Sequence, residues 1–101
     1  MTSATIPIGT NSLDRTNTQK IFTHLTHSFD RLAALGHAPE QVRVDLAGLG
    51  YMDAAGGRCL LDFWAYIARS SETALSLSNV SSATRPTIER CKLDHLFTLN
   101  G

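Results

Sequence analysis

Between residues 41 and 70 the sequence changes its hydrophobic period once, and that change restricts the fold more than any other feature. Gln41-Val42-Arg43-Val44-Asp45-Leu46 alternates strictly, with the valines and Leu46 on one face. That two-residue period belongs to a strand with one face buried. Residues 47–53 read as a loop. From Ala54 to about Ser70, Leu60, Phe63, Trp64, Ile67 and Ala68 make the broad apolar face of a helix that covers a sheet.

The flanking segments repeat the alternation. Thr5-Ile6-Pro7-Ile8 is a short strand, and Pro7 lacks a ladder donor, which places it at a sheet edge. After the polar stretch Gly9 to Ser12, Ile21, Phe22, Leu25, Phe29 and Leu32 recur at three- and four-residue spacing, predicting an amphipathic helix from about Thr16 to Leu35. Asp14 or Thr16 is expected to cap it, and Gly36 followed by Pro39 to stop it. Thr73-Ala74-Leu75-Ser76-Leu77 is a second clear strand, and Asn79 to Ser82 a polar loop whose serines can cap the next helix. That third helix, from about Ala83 to Cys91, tolerates Pro86 in its first turn and packs Ile88 and Cys91 inward. The cluster Leu93, Leu96, Phe97 and Leu99 ends in a short strand. Strands alternating with helices predict an α/β fold, with parallel strands joined by right-handed crossovers.

With 101 residues, 43% of them hydrophobic, the chain can bury one core, so residues 1–101 are read as a single domain. Nine basic and nine acidic residues, spread without a block of one sign, argue against a nucleic-acid surface. The stretch Met1 to Asn11 lacks the features of a secretory signal, and no segment has the length to span a bilayer, so direct membrane insertion is not expected. Cys59 and Cys91 form no Cys-x-x-Cys pair and suit a reducing compartment. A cytoplasmic location is the expectation.

The segment Asp45-Leu46-Ala47-Gly48-Leu49-Gly50-Tyr51-Met52-Asp53-Ala54-Ala55-Gly56 resembles the signature of STAS domains, the anti-sigma-factor antagonist family, in which a strand ends Asp-Leu and a helix opens at Asp-Ser-Ser-Gly. Leu77-Ser78-Asn79-Val80-Ser81 is similar to that family's strand-to-loop segment before its third helix, and Leu93-Asp94-His95-Leu96-Phe97 to its closing pattern. The likeness runs from about Leu13 to Leu99. It implies a small STAS-like domain, a mostly parallel or mixed sheet of about four strands backed by three to four helices. Because only Thr5 to Ile8 precedes the first helix, the sheet is expected to be one N-terminal strand short. A second copy could close the open edge, which makes a homodimer one expectation.

The resemblance also implies a function: a non-enzymatic regulator that binds an anti-sigma factor or kinase-like protein. Met52, Asp53, Ala54, Ala55, Gly56 and Arg58, with Ser81 and Ser82 in the nearby Val80–Thr84 loop, are the expected partner-binding residues. Ala54 occupies the position of the family's phosphorylatable serine, and Ala55 also lacks a hydroxyl. A phosphoserine would bring nearly two negative charges to the contact, and Ala54 forbids that step. Two alternatives are a cytoplasmic accessory subunit of a lipid or anion transporter, and a regulator phosphorylated instead at Ser81, Ser82 or Tyr51.

Independently of the family, Asp53 is placed to accept from the amides of Ala55 and Gly56 and so fix the helix start, a contribution of about 1 kcal/mol. Gly56 and Gly57 are expected to leave backbone exposed for close approach by a partner, at a cost in helix propensity. By local physics alone, a capped helix start with small residues for packing is an equal reading. Gly56-Gly57-Arg58 at a helix N-terminus favours an anion but lacks the lysine and Ser/Thr of a phosphate loop. His24 and His27, one turn apart, have no third ligand, so solvated histidines are expected and no metal or cofactor. His37 and His95 read as surface residues, and Cys59 as core, since no nucleophile elbow is present. Tyr51 and Tyr66 are each read as either an interface anchor or a partly buried structural residue.

Overall fold

The computed structural model describes residues 2–36 and 38–100; the expectation for His37 lies outside them. Four strands, β1 (Ser3–Pro7), β3 (Gln41–Asp45), β5 (Ala74–Ser78) and β6 (Thr98–Asn100), form an all-parallel sheet in that order. Two shorter strands, β2 (Ser12–Leu13) and β4 (Tyr51–Met52), pair with each other in parallel. The helices are α1 (Thr18–Ala33), α2 (Ala54–Ala68) and α3 (Arg85–Arg90), and a 3-10 turn at Leu93–His95 leads into β6.

Main-sheet neighbours follow chain order, so every crossover steps the same way. Right-handed crossovers then lay all helices on one face. Ile6, Val42, Val44, Leu75 and Leu77 point to that face and are buried against Leu25, Phe29, Leu60, Phe63, Ile67 and Ile88. The other face is bare and polar, carrying Thr5, Gln41, Arg43, Ser76 and Thr98. The strict alternation of β3 follows directly: Val42 and Val44 are fully buried, while Gln41 and Arg43 are exposed.

The expected edge position of the first strand is observed, and β1 alone enters the main sheet ahead of α1. The even-numbered residues of β1 face β3, as in the Ile8 amide donating to the Asp45 carbonyl at 2.9 Å, so Pro7 directs its missing donor outward. The outward carbonyl of Pro7 accepts from His24 Nε2 at 2.9 Å. His24 is therefore a tie between α1 and the sheet edge, not a merely solvated histidine.

Three local readings need correction. Of the stretches expected to be irregular, residues 9–12 run into β2 at Ser12 and residues 47–53 contain β4, each strand too short to show a period. Neither Asp14 nor Thr16 caps α1, which starts at Thr18: the Asp14 carboxylate accepts from the amide and hydroxyl of Thr16, and Asn17 bonds the Asp14 amide and the Ser12 carbonyl. Gly56 and Gly57, expected to be exposed, are buried. A Cβ on Gly56 would overlap the Leu13 carbonyl oxygen, and one on Gly57 would overlap Cys91 Sγ. Glycine at these positions lets α2 touch β2 on one side and the end of α3 on the other.

At the last position of β3, Asp45 accepts from Asn79 Nδ2 at 2.7 Å and from the Ala47 amide at 3.0 Å, which joins the ends of β3 and β5. These bonds, the Asn79 one foremost, hold the Asp45 carboxyl below its ordinary value. Since the folded value is depressed, this stabilisation is present above the unfolded pKa of about 3.9 and is lost as pH falls through the folded value. Denaturant titrations between pH 2 and 7 are expected to show an acid limb that is shallower in Asp45→Asn. For Gly56→Ala, the clash is with backbone that cannot rotate away, so a loss of about 1–3 kcal/mol is expected in spite of alanine's better helix propensity. Urea unfolding of the two proteins checks it.

Candidate functional site

The turn that opens α2 lies at the C-terminal ends of the strands, where ligands of parallel α/β sheets ordinarily bind. It is built from two sides. Toward β2, the Gly50 amide donates to the Asn11 carbonyl at 2.9 Å and the Asp53 amide to the Leu13 carbonyl at 3.3 Å. Toward α3, Thr87 Oγ1 donates to the Met52 carbonyl at 2.8 Å, and Ser81 Oγ donates to the Leu49 carbonyl at 3.4 Å.

Asp53 is the N-cap of α2, with extended backbone. Its Oδ1 accepts from the Gly56 amide at 2.8 Å, as expected, but the second bond does not come from Ala55. Oδ2 instead accepts from the Arg15 amide at 3.2 Å, so one carboxylate fixes both the start of α2 and the loop leading into α1. No signal in the sequence pairs Asp53 with Arg15, because the donor is a backbone amide 38 positions away.

The expected partner-binding residues divide into support and surface. Met52 and Gly56 are buried, so neither offers a side-chain surface to a partner. Ser81 is half-buried; its Oγ accepts from the Thr84 amide at 3.2 Å, tying the Val80–Thr84 corner together. Ala54, Arg58 and Ser82 are exposed, and Asp53 and Ala55 half-exposed. Tyr51 is 55% exposed on β4, which makes it a surface aromatic beside the turn. Tyr66, by contrast, donates from its hydroxyl to both oxygens of Asp30 at 2.8 Å and meets Phe22 edge to face, a structural role between α1 and α2.

A shallow groove of about 310 Å³ begins at Ala55. Thr18, Gln19 and Phe22 of α1 line one wall, and Arg58, Cys59 and Asp62 of α2 the other. Arg58 and Asp62 form an exposed i,i+4 pair at 3.1 Å on its rim. The sequence reading misses the α1 wall, whose residues show only that they lie on one helix. Burial pushes the Cys59 thiol up to about 11, so it remains protonated at neutral pH and has no thiolate for nucleophilic work. Among the described residues, no group of three metal-ligating side chains converges, and no helix is long and apolar enough to cross a membrane.

The site therefore has a rigid frame with a small-residue surface, an exposed aromatic on one flank and an apolar groove on the other. Such an arrangement suits the surface of a partner. Comparison with known proteins bears on the class of domain that carries it. No curated protein matches the sequence. The fold is similar to the crystal structure of a sulfate transporter family protein from Wolinella succinogenes, with a TM-score of 0.71 at 18% identity over 93% of this chain and 70% of that one. A family model described as "Mlab, STAS domain" matches residues 24–99, which include β3, the turn and α2, and the closing Leu93–Phe97 segment. The chain belongs to the STAS domain family.

Proposed function

We propose that this chain is a non-enzymatic docking module that holds a folded partner protein at the exposed start of α2, with Ala54, Ala55 and Arg58 at the centre and Tyr51 and Ser82 on the flanks. The observation that carries the reading is Ala54. It is exposed at the first position of a helix whose cap, backbone and buried glycines are all held by the rest of the fold. A surface so firmly positioned, with no nucleophile or general base among Ala54, Ala55 and Arg58, suits contact better than chemistry. With alanine at both 54 and 55, the contact has no phosphorylatable hydroxyl at its centre. The hydroxyls of Ser82 and Tyr51 are the exposed ones nearby, whereas Ser81 is tied into its own corner.

The partner in this reading is an anti-sigma factor or kinase-like regulator, bound without a phosphoserine switch. The Asp-Leu and Asp-x-x-Gly frame around the turn supports it. A second reading is an accessory subunit docked on a membrane transporter; the likeness to a sulfate transporter family protein favours it, and a permanently available turn fits a subunit that stays bound. Two free cysteines fit a cytoplasmic setting for either.

The test introduces charge where the family's phosphate would be. Ala54→Asp is expected to weaken partner binding by more than about tenfold, because a carboxylate would be desolvated at the centre of the contact. Thermal stability should be preserved or slightly raised, since a negative side chain is welcome at a helix N-terminus. Affinity purification with the wild-type chain and mass spectrometry identifies the partner and separates the two classes. Calorimetry then compares the variants, and an unchanged affinity for Ala54→Asp would remove the turn from the interface.

A further inference from the structure

The crossovers that build the sheet run α1 and α2 in the same direction, so their C-terminal ends lie together at the end of the domain away from the docking turn. Fifteen or sixteen residues of helix place the two ends about 20 Å apart. A second groove, of about 480 Å³, opens there between the helices. Its walls include Phe29 and Ala33 of α1, Ala38 after it, and Tyr66 of α2, with Asp30 and Arg69 at the rim. The Phe22–Tyr66 ring contact separates it from the groove beside Ala55.

Leu35 is in the same corner, two residues after Ala33 and three before Ala38, and is 83% exposed. Together with Tyr51 it is one of two large apolar side chains that the fold leaves in water among the described residues. A leucine this exposed adds almost nothing to the core of its own chain, and a contact that covered it would take that apolar surface out of water.

We propose that a second copy of this chain covers it, Leu35 of each protomer entering the other's groove about a two-fold axis. An isologous contact requires that a patch be complementary to itself. This one carries an apolar projection beside an apolar recess, and opposite charges on the rim: Asp30 and Arg69 are both exposed and form no ion pair with each other within one chain. Across a two-fold axis each Asp30 can meet the partner copy's Arg69 while still accepting from its own Tyr66. The contact is distinct from the sheet edge, where Pro7 and His24 already occupy part of β1. It leaves both docking turns free, and it does not depend on the identity of what binds them.

Sedimentation equilibrium of the full chain between about 1 μM and 1 mM is expected to show a reversible monomer–dimer equilibrium. Leu35→Glu should raise the dimer dissociation constant by at least about tenfold with an unchanged circular dichroism spectrum and melting temperature, because the side chain it replaces is already in water. Asp30→Arg should weaken the dimer, and Asp30→Arg combined with Arg69→Asp should restore it by re-forming the pairs with reversed sign. A chain that stays monomeric throughout overturns the proposal. So does a dimer that Leu35→Glu leaves as tight as before, which would put the contact elsewhere, such as the sheet edge.

Discussion

The handedness of the crossover governs this molecule more than any single contact does. Four parallel strands laid down in chain order, each reached by a right-handed connection, send every helix to the same side. The buried face of the sheet then has to satisfy three helices at once, which is why its inward residues are valine, isoleucine and leucine. The opposite face has no covering layer and is correspondingly polar. Parallel sheets are ordinarily covered on both sides. This one tolerates exposure by replacing the second layer with threonine, serine, glutamine and arginine side chains. The same geometry gathers the helix starts at one end and the helix finishes at the other, so the domain has two ends joined by one α1–α2 seam.

At the first of those ends the residues separate by task. Asp53, Gly56, Gly57 and Thr87 hold the turn: the carboxylate joins two loops, the glycines admit β2 and Cys91, and the threonine secures the Met52 carbonyl. Ala54, Ala55 and Arg58 take no part in that holding beyond the Arg58–Asp62 surface pair, which contributes little in water. Family membership accounts for why the frame has this shape, and the alanines for why it lacks a modifiable centre.

Much of this is legible in the sequence, for physical reasons that can be located. β3 and α2 are long enough to display a period, and the Asp-Leu to Asp-x-x-Gly spacing marks the turn between them. The strands β2 and β4 are two residues each, and no periodicity exists over two residues. The start of α1 is hard to place because Asp14 commits its carboxylate to Thr16, a local competition that composition does not reveal. The two glycines mislead through their lack of side chains, although Gly56 precedes Leu60 by four positions and Phe63 by seven, which puts it on the buried stripe. The groove beside Ala55 leaves no trace in the sequence, because its two walls come from helices brought together only by the fold.

The separation between frame and surface at the α2 turn also has an evolutionary consequence. Residues that hold the backbone resist replacement, whereas Ala54 is exposed in the unbound chain, so its identity matters little for folding. An alanine codon becomes a serine codon by a single base change. A lineage carrying this domain can therefore acquire or discard a phosphorylatable residue at this exposed position without rebuilding anything beneath it. In the docking reading proposed above, control by a kinase would be gained or lost at this position on a scaffold that stays the same.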